Sequence, residues 1–569
     1  MPVSDLGTAR AAAGRRVSRS VGISILLCAA LLASSQGAVA DFSQQGAKLV
    51  GTGGVVPSEQ GYSVALSGDG NTALVGARAD NGNIGAAWVF TRSGTVWTQQ
   101  GSKLVGFDAV GASNQGQSVA LSADGNTAIV GGYLDNGGAG AAWVYIRSGG
   151  LWIQQGSKLI GAGAAGAGNQ GLSVALSADG NTAIVGGHTD NGGAGAAWVF
   201  TRSGGVWTPQ GDKLVGSGAA GNAGLGASVA LSADGNTAIV GADSDNGGLG
   251  AAWVFTRSGG VWTQQGGKLV GSGAVGPAQQ GFSVALSADG NTAIVGGAFD
   301  NNFITGAAWV FTRSGGVWTQ QGPKLVGSGG VGTPNQGKGV SLSADGTTAI
   351  VGGNGDNDGA GATWVWTVSG GVWTQQGAKL VGSGASGPAH QGTSVALSGD
   401  GNTAIVGGFT DGSNTGVNIG AAWVFVRQSA PSLQVTPATS ISASGPRGGP
   451  FTPTSFDYQI SASNGNVDYS ISGIPTWLNA SFISGTATAS PVTVTFSLMN
   501  VGTLGAGTYN AIINFTNTTN GQGGTSRTAT LTVLPGKDDC KNGGWQNFPA
   551  PPGPFKNQGQ CVSFFARGN

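Results

Sequence analysis

One sequence block recurs seven times with its spacing almost unchanged, and this restricts the fold more than any other feature. Gly-Ala-Ala-Trp-Val-Phe returns with small changes at Trp88, Trp143, Trp198, Trp253, Trp309, Trp364 and Trp423, at intervals of 55, 55, 55, 56, 55 and 59 residues. A second block, Ser-x-Asp-Gly-Asn-Thr-Ala-Ile-Val-Gly, places Asp69, Asp124, Asp179, Asp234, Asp289, Asp345 and Asp400 in the same register. A further aspartate follows each by 11 residues, at Asp80, Asp135, Asp190, Asp245, Asp300, Asp356 and Asp411. An array like this repeats one supersecondary unit that buries its apolar faces only against its neighbours.

Each unit splits into four strand-sized pieces, in the second copy Ser118–Ser122, Thr127–Gly131, Ala141–Arg147 and Leu151–Ile160. Asp124-Gly125 and Ser148-Gly149-Gly150 read as hairpin turns of type I′, which need residues tolerant of positive φ. Apolar residues on both faces of a strand, as in Trp143-Val144-Tyr145, suit sheets packed between neighbours. Four antiparallel strands per unit, seven times over, predict a seven-bladed β-propeller. The recurring tryptophans then read as packing between blades rather than as carbohydrate platforms.

The ends of the array predict how it closes. Six copies run on into Val-Trp-Thr-Gln-Gln-Gly-x-Lys-Leu-Val or a near variant, with Trp97, Trp152, Trp207, Trp262, Trp318 and Trp373. The seventh stops at Arg427 without that strand, whose match is Phe42–Val50, with Phe42 in the tryptophan position. A strand from the beginning of the chain is expected to complete the last blade and remove the open edge.

These motifs resemble the FG-GAP class of integrin-α-like propellers, in the bacterial form G-A-A-W-V-F-x-R-S-G-G-x-W-x-Q-Q-x-K-L, over residues 42–427. The Phe-Gly of that family is mostly Gln-Gly here, as at Gln115-Gly116 and Gln170-Gly171. The resemblance implies a search for calcium loops. Calcium takes six to eight oxygens, whereas Asp135-Asn136 offers one carboxylate and the richest copy, Asp356-Asn357-Asp358, offers two. Each of these aspartates is expected to cap its own turn, and no cofactor or metal residue is assigned.

No catalytic constellation stands out: no P-loop, no H-E-x-x-H and no G-x-S-x-G. His188 and His390 lie in different copies without counterparts, as isolated surface histidines would. The near-uniform array argues for a non-enzymatic protein, with partner contacts expected in the loops where copies differ, Phe299–Thr305 and Thr410–Ile419.

Outside the repeats, Arg10, Arg15, Arg16 and Arg19 precede an apolar run, Val21–Ala33, and Ala38-Val39-Ala40 supplies a cleavage motif before Asp41. Residues 1–40 read as an export signal cut between Ala40 and Asp41. Its removal takes four Arg and Asp5 from 25 basic and 25 acidic residues, leaving 21 and 24, a net charge of −3. That balance gives no reason to expect nucleic acid, and no membrane span is expected in the mature chain.

After residues 41–428, composition turns to Ser, Thr, Val and Ile. Strand-like runs at Ser455–Ser461, Val467–Ser472, Val492–Leu498, Thr508–Thr516 and Thr528–Leu534 predict a β-sandwich over 430–535. Pro475-Thr476-Trp477-Leu478 and Gly505-Ala506-Gly507-Thr508-Tyr509 resemble BACON-type Ig-like domains, which implies glycan binding or a spacer role. Residues 536–569 hold Cys540 and Cys561, an expected disulfide in an exported chain that closes a short tail with little core of its own. The whole reads as an all-β, secreted or surface-displayed binding or adhesion protein with a protein or carbohydrate ligand. A polysaccharide-directed binder or hydrolase and a purely structural extracellular protein are the alternatives.

Overall fold

A computed structural model describes residues 41–548 and 553–567. The expected leader, including Ala40, lies outside the described residues. The described residues form two compact bodies, one up to Pro431 and one from Ser432 onward.

The first body is seven four-stranded antiparallel sheets. The second of them comprises Ser118–Leu121, Thr127–Gly132, Ala141–Ser148 and Leu151–Gln154. Its outer strand ends earlier than expected and returns only as one bridge, Leu159 to Ala142. The first strand of each sheet packs on that of the next, and Ser394–Leu397 of the seventh packs on Ser63–Leu66 of the first. A circle of backbone hydrogen bonds makes the closure explicit. The N–H of Gly68 donates to Ala123, Ala123 to Ala178, Ala178 to Ala233, Ala233 to Ala288, Ala288 to Ala344, Ala344 to Gly399 and Gly399 to Gly68, each at 2.8–2.9 Å. Only Gly or Ala stands at these positions, because a larger side chain would crowd the axis. This body is a β-propeller.

Phe42–Gln44 pairs antiparallel with Ala421–Arg427, Phe42 opposite Arg427 and Gln44 opposite Phe425, so the seventh sheet takes its outer strand from the start of the described chain. Arg427 lies over the Phe42 ring at 5.2 Å, as Arg92 lies over Trp97 at 5.4 Å in the first sheet.

Between neighbouring sheets lie apolar cores that each draw on both, the first joining Val64, Val75 and Trp88 to Ile405 and Val424 of the seventh sheet. The Trp88 series is 0–4% exposed, as packing between sheets requires. A Cβ on Gly51, Gly106, Gly161, Gly216, Gly271, Gly327 or Gly382 would come within 2.0–2.6 Å of the next indole, so each of these glycines is the floor on which a tryptophan rests. The Gln of Gln-Gly ties the loop that brings this glycine in. The buried Gln60 side chain accepts from Gly51 N at 2.6 Å and donates to Gly51 O at 3.1 Å, holding the loop by both backbone groups.

Two sequence expectations are corrected. Asp124-Gly125 is not a type I′ turn, since Gly125 has φ 65° but Asp124 has no positive φ; Gly125 N bonds Ser122 O, and the Asp124 carboxylate accepts from Ser122 Oγ and Asn126 N. Ser148-Gly149-Gly150 does hold two positive-φ glycines, at 57° and 82°. The second tryptophan series, half-buried on the outer strands, does pack against the cores between sheets, Trp152 against the core of Val89, Trp143 and Tyr145. Its indole N–H groups donate to a glutamine of the preceding sheet, as Trp152 does to Gln100 at 2.9 Å. The Asp135 series does not cap its own turn. One carboxylate oxygen accepts a backbone N–H from 25 residues earlier, Val110 for Asp135 at 2.7 Å, and the other pairs with a lysine, Lys158, at 2.6 Å. The same pairing recurs in every sheet, at 2.5–2.6 Å in six and also between Lys324 and Asp300.

The second body packs a four-stranded sheet (Leu433–Thr436, Ser455–Ala462, Val492–Leu498, Leu478–Ala480) and a five-stranded one (Ile441–Pro446, Thr525–Leu534, Gly507–Asn517, Val467–Ser472, Ser484–Ala487) around one core. Tyr458, Phe496 and Phe515 meet at its centre. Cys540 and Cys561 form a disulfide. Contrary to expectation the bridged segment has a core, with Phe555 buried against Phe548, Phe564 and Phe565, and an unexpected helix, Gln558–Ala566, whose cap Asn557 accepts from Gln560 N.

Two stability outcomes follow. Deleting Asp41–Gly51 opens the ring and removes the Lys48–Asp411 pair, so the thermal midpoint followed by circular dichroism falls by many degrees; an unchanged midpoint would contradict closure by this strand. Lys158→Met strands the fully buried Asp135 carboxylate, a loss of about 3–5 kcal/mol read from urea unfolding.

Candidate functional site

The first strands run down the axis, and the end away from the amide circle opens into a cavity of about 440 Å³. All seven sheets line it, through the residue following Gln-Gly and the strand after it. The serines there are committed to the scaffold: Ser63 Oγ donates to Gly116 O at 2.8 Å, and Ser118 repeats the bond to Gly171 O at 2.9 Å.

Two columns at this end vary, in an array otherwise close to uniform. The residue after Gln-Gly (Leu-Gly in the fourth copy) is Tyr62, Gln117, Leu172, Ala227, Phe282, Lys338 or Thr393, and all seven line the cavity. The residue just after the second strand is Arg78, Tyr133, His188, Asp243, Ala298, Asn354 or Phe409, and His188 and Asp243 line it as well. Five ionisable or aromatic departures from the repeat, Tyr62, His188, Asp243, Phe282 and Lys338, therefore line one mouth. Comparing copies column by column would have shown this; averaging them into a consensus hides it.

On the first sheet Arg78 is satisfied, with Nε donating to Glu59 at 2.8 Å and the guanidinium 3.8 Å from the Tyr62 ring centroid. On the sixth sheet Lys338 lies 3.9 Å from the Phe282 ring centroid, a contact that stabilises a partly desolvated cation. Among the described residues, no carboxylate lies within ion-pair distance of Lys338. Asp243 is half-buried and accepts from Ser244 Oγ at 3.1 Å. Burial raises its pKa, against the opposing pull of the Ser244 hydrogen bond, His188 and Lys338. His188 Nδ1 and Gln117 Oε1 are buried without a hydrogen-bond partner.

The histidines are not isolated surface groups. Burial lowers the pKa of His188, with Asp243 opposing, and burial followed by the Lys338 charge lowers that of His390. His390 stacks on Phe409 at 5.5 Å and its Nδ1 meets Thr410 Oγ1 at 2.6 Å. The loops singled out from sequence flank this end, since Phe299 touches Phe282 and Thr410 touches His390. As for the calcium loops, both Asp356 carboxylate oxygens are taken, by Val331 N and Lys379 Nζ, and among the described residues no cluster of three or more His, Cys, Asp or Glu side chains is grouped to hold a metal.

No protein-family model matches the chain, and neither does any curated protein. Among solved structures, the chain is similar to the hydrazine synthase of Kuenenia stuttgartiensis (14% identity, 67% of this chain and 98% of that one, TM-score 0.40). It is similar to the periplasmic gluconolactonase of Pseudomonas aeruginosa (18% identity, 57% and 86%, TM-score 0.38) and to a TolB protein of Agrobacterium tumefaciens (14% identity, 48% and 82%, TM-score 0.29). The activities in those names belong to those proteins.

The charge of Lys338 has a measurable consequence. Burial lowers its pKa to about 8 from 10.5, with Asp243 pulling upward and Arg78 pushing down. Between those values the unfolded chain binds the proton more tightly, so stability rises with pH from about 8 to 10.5; below that window the buried ammonium costs up to about 3 kcal/mol. Lys338→Met abolishes this rise, measured as the difference in urea midpoint between pH 7.5 and 10. An equal rise in the variant would show that Lys338 is not held away from water.

Proposed function

We propose that the protein is an exported, non-enzymatic binding protein in which a seven-bladed propeller of the FG-GAP kind takes a ligand at its axial mouth. The BACON-like, Ig-type body and the disulfide-closed tail serve as a spacer and terminus. The observation that carries this reading is the convergence of the variable columns on one cavity, while the columns that build the ring stay constant. A scaffold maintained for closure alone has no use for Arg78, Tyr133, His188, Asp243 and Lys338 at a single end. The volume falls within the roughly 300–1,000 Å³ usual for small-molecule sites.

Binding is favoured over catalysis by the arrangement of the ionisable groups. Among the described residues, no hydrogen bond joins any two of His188, Asp243 and Lys338, whereas an activated nucleophile and its base are ordinarily in contact. The ligand is a small polar molecule or an exposed end of a glycan or protein. Export rests on the Arg-flanked apolar run and the Ala38-Val39-Ala40 motif.

A glycan array and a thermal-shift screen of soluble metabolites test this, run on the full chain beside the His188→Ala, Asp243→Ala double variant. The expected outcome is a ligand whose signal is lost in the variant while its thermal midpoint moves by only a few degrees. Binding that survives intact in the variant would place recognition elsewhere on the chain.

A further inference from the structure

Lys338 and Asp243 stand on the sixth and fourth sheets of the ring and both line the axial cavity. Each influences the other electrostatically, yet they form no ion pair. Each is also drawn out of water without a direct counter-charge, an arrangement that costs free energy in the empty site. Glu59 is spent on Arg78, so it is not the missing partner of Lys338. Among the described residues Asp243 accepts from the neutral Ser244 hydroxyl and a backbone N–H and faces His188, whose pKa burial lowers. On the second sheet, lining the same cavity, Gln117 Oε1 is an acceptor without a donor.

We propose that the axial mouth binds a small zwitterion, its carboxylate received by Lys338 and its amine by Asp243 and Gln117. This rests on the reading of the mouth as the ligand site and specifies what enters it. A simple anion drawn to Lys338 would lie in the field of Asp243, and a simple cation drawn to Asp243 would lie in the field of Lys338 and Arg78. Either would satisfy one buried charge and be repelled by the other. A molecule carrying both charges relieves both sites, and the repulsion of singly charged competitors supplies specificity. The amide circle at the far end of the axis leaves the mouth as the way in.

Isothermal titration of the full chain with β-alanine, 4-aminobutyrate and 6-aminohexanoate samples increasing charge separation, with butyrate and butylamine as singly charged controls. At least one aminoalkanoate is expected to bind tenfold or more tightly than both controls. In Lys338→Met its advantage over butylamine falls below about twofold, and in the near-isosteric Asp243→Asn its advantage over butyrate falls likewise. Butyrate binding as tightly as any aminoalkanoate, and lost in Lys338→Met, would overturn the zwitterion while leaving the mouth a ligand site. No heat from any aminoalkanoate at millimolar concentration would also overturn it, and the mouth would then stand or fall on the double-variant screen. Binding undiminished in both single variants would overturn both readings.

Discussion

Each sheet of the ring carries an apolar layer on both faces, and only another sheet of the same kind can cover it. Closure is therefore the constraint on which the first body depends. An open array would leave Val64 and Trp88 at one end, and Ile405 and Val424 at the other, facing water. Pairing of Phe42–Gln44 with Ala421–Arg427 lets these residues share one core. The seven-membered amide circle on the axis and the Trp–Gln hydrogen bonds on the rim join the same sheets at their inner and outer ends.

Within each sheet, the Asp–Lys pair fixes what the apolar layers leave free. Asp135 holds the loop before its sheet through Val110 N and the segment after it through Lys158 Nζ. A buried pair need not add net stability, but its geometry is demanding. Here that geometry sets where each connection enters and leaves. With the loops held in this way, the residues beside them at the axial mouth can vary without disturbing the ring. The constancy of the scaffold and the diversity of the mouth are two sides of one arrangement.

Much of the architecture was legible because its signals are local. Strand positions, the paired glycines at Gly149-Gly150 and the replacement of tryptophan by Phe42 could all be read from spacing. In the second body five strands were legible, whereas Leu433–Thr436, Leu478–Ala480 and Ser484–Ala487 were too short to show an alternation, and Ile441–Pro446 alternates but buries only Ile, Ala and Gly, too weak an apolar signal to read. The partners of Asp135, Trp152 and His188 were not legible. Each depends on a residue tens of positions away: Val110 and Lys158 for Asp135, Gln100 for Trp152, Asp243 for His188. A local reading supplies only neighbours, so it made Asp135 a turn cap and His188 an isolated surface group, and it placed Trp152 in the packing between sheets without its bond to Gln100.

By itself, the sequence determined the repeating unit, the number of its copies and the way the first strand completes the last, because these follow from periodicity and from the cost of an uncovered apolar face. Tertiary structure alone decided which columns of the repeat meet at the axis. Seven residues at the same repeat position, some 55 apart in the chain, become neighbours only when the ring closes. That closure turns scattered departures from a consensus into one charged cavity.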